Sequence, residues 1–135
     1  MRILLVDDDI GRAKIMQESL QLQFNWEIVN ATTPKETLQI LDKDKNFDVI
    51  LLDIMMAPDD SIDNSNNVCE DGISTGVVLL KTIKDKIGNI PVMAFTGRDD
   101  MDFLKDSGDV IEIIKKPKLA IDIHNIISGK IKHTK

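Results

Sequence analysis

Two short stretches of this chain are apolar at nearly every position, and each ends in acidic residues. Residues 3–6 run into a triplet of aspartates that starts at Asp7, and residues 49–52 run into Asp53. A strand without polar alternation is buried on both faces, which is typical of a parallel sheet covered by helices. The acids therefore belong at the carboxyl edge of such a sheet, where open α/β proteins place their chemistry.

Strand-like and helix-like segments alternate along the rest of the chain. The five predicted strands span residues 3–6, 26–29, 47–52, 90–95 and 110–114. The first helix is predicted from the recurrence, every three or four residues, of Ile10, Ala13, Met16, Leu20 and Phe24. Asp9 is placed to cap that helix, and Thr33 with Pro34 opens the second. Five strands alternating with five helices predict an α/β fold, a doubly wound five-stranded parallel sheet with right-handed crossovers.

One segment interrupts this alternation. Residues 57–71 are polar and acidic, show no apolar period, and follow the strand that ends at Asp53. Loops of this length are uncommon inside compact domains unless they serve a function. We expect an atypical acidic loop insertion beside the carboxyl edge, within a single domain that spans residues 1–135.

Composition narrows the class of protein. The 135 residues are 42% hydrophobic, which is enough for one packed core, and 17 basic against 23 acidic residues give a net charge of -6. Without a basic stripe, direct nucleic-acid binding is not expected, and no apolar stretch approaches the ~20 residues of a membrane span. The N-terminal segment is apolar and is followed directly by acids, which is not the pattern of a signal peptide. The single Cys69 agrees with a reducing compartment. We expect a cytoplasmic protein.

Five polar side chains are expected to meet at the carboxyl edge. Asp7, Asp8 and Asp53 end neighbouring strands, and their mutual repulsion favours a bound cation. Clustered hard oxygen ligands suit Mg²⁺. Thr96, at the end of the fourth strand, adds a hydroxyl, and Lys116, after the fifth, adds a positive charge that pairs with carboxylate or phosphoryl oxygens. This set of groups predicts a phosphoryl-acceptor site.

Four motifs at predicted strand ends resemble those of the receiver domain of two-component response regulators, and the resemblance covers nearly the whole chain. The motifs are Leu5-Val6-Asp7-Asp8-Asp9, Asp48 to Met56, Phe95-Thr96-Gly97 and Lys116-Pro117. The family's fold is flavodoxin-like with strand order 2-1-3-4-5, and we expect it here. By the same resemblance, Asp53 accepts a phosphoryl group from a sensor histidine kinase or a phosphotransfer protein.

The resemblance also implies roles for the neighbours of Asp53. Thr96 would bind a phosphoryl oxygen, Lys116 would clamp the group, and the Lys116–Pro117 peptide is expected to be cis, as is usual in this family.

Mg²⁺ would be held by Asp7, Asp8 and Asp53 and by the backbone carbonyl of Met55. Asp8 is expected to bind it directly and Asp7 partly through water. The chain would catalyse only its own aspartyl phosphorylation and dephosphorylation, and it would signal through an effector protein, since it ends soon after the fifth helix.

Three departures from the family pattern concern the signalling output. Ile113 stands where many receivers carry an aromatic residue, and the chain contains no Tyr, which counts against a switch based on an aromatic rotamer. The family's Asp-Gly pair after the phosphoacceptor is displaced to Asp71 and Gly72 by the insertion, and the fourth helix, at about residues 99–105, is short.

Two alternative functions stay open at this point. One is a pseudo-receiver that binds partner proteins without phosphorylation. The other is a phosphatase with an Asp nucleophile, but such enzymes commonly place a second Asp two residues later as general acid, where this chain has Met55. Because the apolar Met55 cannot orient water, any phosphoryl group on Asp53 is expected to be long-lived.

Overall fold

The computed structural model describes residues 1–55, 73–87, 89–97, 103–106, 108–116 and 119–131. Within these ranges, strands and helices alternate as the sequence pattern predicts. The elements are β1 (Arg2–Val6), α1 (Ile10–Phe24), β2 (Glu27–Ala31), α2 (Pro34–Lys43), β3 (Val49–Asp53), α3 (Ile73–Ile87), β4 (Val92–Thr96), α4 (Phe103–Asp106), β5 (Glu112–Lys115) and α5 (Ala120–Lys130).

The five strands form one parallel sheet in the order β2-β1-β3-β4-β5. The predicted α/β class and the flavodoxin-like strand order are therefore confirmed. The order reverses between β1 and β3, where successive crossovers lie on opposite faces of the sheet. In doubly wound sheets the crevice at the carboxyl ends of two such strands is the usual ligand site.

Each face of the sheet carries its own apolar layer. One layer includes buried residues of α2, α3 and α4, such as Leu41, Leu80 and Leu104. The other includes buried residues of α1 and α5, such as Leu20 and Ile123. Because both faces are covered, β3 and β4 are buried along their whole length, which explains why these strands are apolar up to their last residue.

The predicted helix starts are confirmed. Asp9 accepts a hydrogen bond from the backbone N–H of Arg12 at the start of α1, and Thr33 accepts one from Glu36 at the start of α2. The predicted first helix is confirmed, and Ile10, its first residue, is 65% exposed.

Strands β2 to β5 all end later than predicted, and β3 and β4 each end one residue later. Asp53 is the last residue of β3 and pairs with Phe95, and Thr96 is the last residue of β4 and pairs with Lys115. The sequence pattern ended these strands one residue earlier because it treats a polar residue as a boundary, whereas the ladder continues wherever a neighbouring strand is present. In the part of the chain that is described, no helix is both long and apolar enough to cross a bilayer.

Candidate functional site

Three carboxylates converge at the carboxyl edge, as the sequence pattern predicts. Oxygen atoms of Asp7, Asp8 and Asp53 all lie within 4.8 Å of one another. Adjacent, parallel β1 and β3 bring them together, since Val6 pairs with Leu52 and the acids follow directly. Asp7 and Asp53 are buried, with 5% and 4% of their surface exposed, whereas Asp8 is exposed.

The ammonium group of Lys116 lies between the two buried acids. Its Nζ is 3.2 Å from Oδ2 of Asp53 and 3.6 Å from Oδ2 of Asp7. The Lys116 backbone N–H donates to the carbonyl of Thr96 at 2.7 Å, which fixes the start of this side chain beside the end of β4. Thr96 is fully buried and directly follows Phe95, the strand partner of Asp53. Lys116, the positively charged side chain expected at this edge, therefore contacts both buried carboxylates.

Backbone donors fix the orientation of each buried carboxylate. Oδ1 of Asp7 accepts from the N–H of Asp9 at 2.9 Å, and Oδ1 of Asp53 accepts from the N–H of Met55 at 3.0 Å. Both bonds close a short turn in which the side chain bonds the backbone two residues on. The second oxygen of each carboxylate is the one that faces Lys116.

The two buried acids share the ammonium group of Lys116. Burial raises the pKa of Asp53 to about 6, and although Lys116 and the Met55 N–H oppose this rise, the negative charge of Asp7 adds to it. Asp7, Asp8 and Asp53 together offer clustered oxygens to a hard divalent cation, which prefers carboxylate and carbonyl ligands. The donor chemistry therefore fits Mg²⁺ at Asp7, Asp8 and Asp53, with the carbonyl of Met55 within reach along the chain.

A close helix contact holds the backbone beside Asp53. A Cβ atom on Gly76 of α3 would lie 2.6 Å from Cα of Ile54 and 2.7 Å from its carbonyl carbon, so only glycine lets the helix approach so near. Ile54 lies between Asp53 and Met55. The Asp71 and Gly72 pair, the insertion at 57–71, and the peptide bond to Pro117 lie outside the described residues.

A cavity of about 750 Å³ opens beside the acids. Arg12 and Met16 of α1, Met55 and Phe95 line it together with the acids. The ring centroid of Phe95 is 5.0 Å from Nζ of Lys116, a contact that sequence reasoning did not anticipate. The cavity thus has both charged and apolar side chains in its lining.

Comparison with known proteins gives one consistent family. A family model described as "Response regulator receiver domain" matches residues 3–128. The transcriptional regulatory protein CpxR homolog of Haemophilus influenzae is 31% identical over 102 residues, which cover 75% of this chain and 37% of that protein. The transcriptional regulatory protein FlgR of Helicobacter pylori is 36% identical over 63 residues, which cover 47% of this chain and 16% of that protein. The matches thus span well under half of both relatives.

Solved structures agree on the fold. A response regulator receiver domain protein (CheY-like) from Methanospirillum hungatei superposes with a TM-score of 0.76 at 23% identity, covering 96% of this chain and 92% of that one.

Proposed function

The chain belongs to the response regulator receiver family of two-component signalling, and from this premise we propose that it is a phosphorylation-dependent receiver with Asp53 as phosphoacceptor. The observation that carries the proposal is the carboxylate of Asp53. It is buried at the end of a central strand, oriented by the Met55 N–H, and 3.2 Å from the ammonium of Lys116.

The reaction is the transfer of a phosphoryl group from a donor histidine. The carboxylate of Asp53 attacks phosphorus, an O–P bond forms, and the P–N bond to the imidazole breaks on the opposite side. Lys116 offsets the negative charge that gathers on the phosphoryl oxygens, and the hydroxyl of Thr96 donates to one of them. The chain catalyses only its own aspartyl phosphorylation and dephosphorylation.

Asp7, Asp8, Asp53 and the carbonyl of Met55 would hold Mg²⁺, which when bound supplies further positive charge at the phosphoryl oxygens. We place this chemistry in one cytoplasmic receiver domain that spans residues 1–135. Its partners are a sensor histidine kinase or phosphotransfer protein upstream and an effector protein downstream, without direct contact to nucleic acid or membrane.

Intact-mass measurement after incubation with acetyl phosphate and Mg²⁺ tests the proposal. We expect a mass gain of one phosphoryl group that is lost in Asp53→Asn. Asp48→Asn is the matched control, because Asp48 directly precedes the same strand at its other end, where it accepts from the backbone N–H of Arg2. If neither acetyl phosphate nor a histidine-phosphorylated protein adds mass to the wild-type chain, the phosphoacceptor role is wrong.

A further inference from the structure

We propose that Phe95 is a positioning residue for Lys116, and that its ring holds the ammonium group beside Asp53 through a cation–π contact. This proposal rests on the function proposed above, in which Lys116 acts on the phosphoryl group. Within that function, Phe95 acts through Lys116. It contacts neither the phosphoryl group nor the carboxylates that react or bind the metal.

The geometry places the ring where it can fix the ammonium group. The distance of 5.0 Å from Nζ to the ring centroid lies within the ~6 Å over which a cation is attracted to an aromatic face. Phe95 is 6% exposed and packs in the apolar layer that includes Ile114 and Ala120. The ring is therefore a fixed surface, whereas a lysine side chain is flexible and loses considerable rotamer entropy when it is held in one position.

The ring supplies something that the two acids cannot. In the proposed reaction an oxygen of Asp53 becomes bonded to phosphorus, so the carboxylate that holds Lys116 is consumed in the step in which the lysine acts. Asp7 is at the same time a proposed metal ligand. The contact with Phe95 does not depend on either acid, and it keeps Nζ at the same place while its ionic partners change.

A second cation–π pair in the described residues offers an internal control. The guanidinium carbon of Arg2 lies 4.4 Å from the ring centroid of Phe47, at the opposite end of the sheet. This pair has the same chemistry but no contact with Asp53. A perturbation of ring electronics at Phe47 should therefore leave phosphorylation unchanged.

Progressive fluorination of the ring of Phe95 tests the proposal, because it weakens the attraction of a cation while keeping the shape of the ring. We expect the rate of phosphorylation by acetyl phosphate at saturating Mg²⁺ to fall stepwise, by about threefold to tenfold for the fully fluorinated ring. The ring-current shift of the Lys116 ε-protons should decrease in parallel. Mg²⁺ affinity and the unfolding midpoint should stay unchanged. If the ring had only a structural role, a variant with slower phosphorylation would also be less stable.

The outcomes separate this proposal from the function on which it rests. Equal rates across the fluorination series, in a chain whose phosphorylation still requires Asp53, overturn the role of Phe95 and leave the phosphoacceptor intact. The same loss on fluorination of Phe47 also overturns it, because the effect is then not local. A wild-type chain that takes no phosphoryl group overturns the function and the role of Phe95 together.

Discussion

The two ends of the sheet carry clusters made of the same parts: one cation, two carboxylates and an aromatic ring. We call them the carboxyl-edge cluster and the amino-edge cluster. The first consists of Lys116, Asp7, Asp53 and Phe95, and the second consists of Arg2, Glu27, Asp44 and Phe47.

Their geometry and electrostatics differ in an instructive way. Arg2 lies 2.6 Å from Glu27 and 2.7 Å from Asp44, shorter distances than those around Lys116, and its hydrogen bond holds the pKa of Asp44 below the ordinary value. At the carboxyl edge, burial instead raises the pKa of Asp53. The shorter ion pairs therefore belong to the amino-edge cluster, which is the more exposed to solvent. The carboxyl-edge cluster has the same number of charges but buries its two acids, and a buried acid with a raised pKa is a candidate functional group.

Removal of each cation is the strongest test of this contrast. Lys116→Met should slow phosphorylation of Asp53 by about 100-fold or more, because a preorganised charge is lost where negative charge gathers. Arg2→Met should leave the rate unchanged. Stopped-flow phosphorylation with acetyl phosphate compares the two variants directly. Similar rates in both would mean that the carboxyl-edge cluster has no special reactivity.

Close packing beside Asp53 is a second difference that substitution can probe. Gly76→Ala should lower the free energy of unfolding by about 1–3 kcal/mol, since the added methyl group would overlap the backbone of Ile54. Gly129→Ala is the matched change in α5, where the Cβ meets open space, and it should raise that free energy by up to about 1 kcal/mol. Urea unfolding measures both. A Gly76→Ala chain as stable as wild type would contradict the contact.

Much of the fold can be predicted from the sequence, because buried parallel strands are continuous apolar runs and the apolar positions of a helix recur every three to four residues. The convergence of Asp7, Asp8 and Asp53 then follows from topology alone. The apolar period does not show how deeply each of its members is buried: Ile10 belongs to the period of α1 and is 65% exposed.

Contacts between elements are what the sequence pattern does not contain. The contact between the ring of Phe95 and Lys116 depends on the rotamers of two side chains, one in β4 and one directly after β5. His124, which no spacing associates with aromatic residues, stacks on Phe24 and Trp26 with ring centroids 3.9 and 4.9 Å away. Such pairs are fixed by packing in three dimensions, so only the folded chain shows them.

The two clusters should also respond to pH with opposite sign in metal-free buffer. The folded-state pKa of Asp53, about 6, lies above the ordinary 3.8, so folding favours its protonated form. That stabilisation is complete below pH 3.8 and is lost as the pH rises through about 6. Asp53→Asn, which stays neutral, should therefore exceed wild type in stability by about 2 kcal/mol above neutral pH, with no gain in strong acid. Thermal unfolding with a chelator across this range measures the difference.

Asp44→Asn should show the smaller and opposite effect. Because the hydrogen bond from Arg2 lowers the pKa of Asp44, its stabilisation is present above the ordinary 3.8 and is lost as the pH falls through the lowered value. The variant should thus be less stable than wild type at neutral pH and equal to it in strong acid. Salt should reduce its deficit, since the pair is exposed to solvent. If both substitutions shifted the unfolding midpoint in the same direction at neutral pH, burial would not be what distinguishes the two clusters.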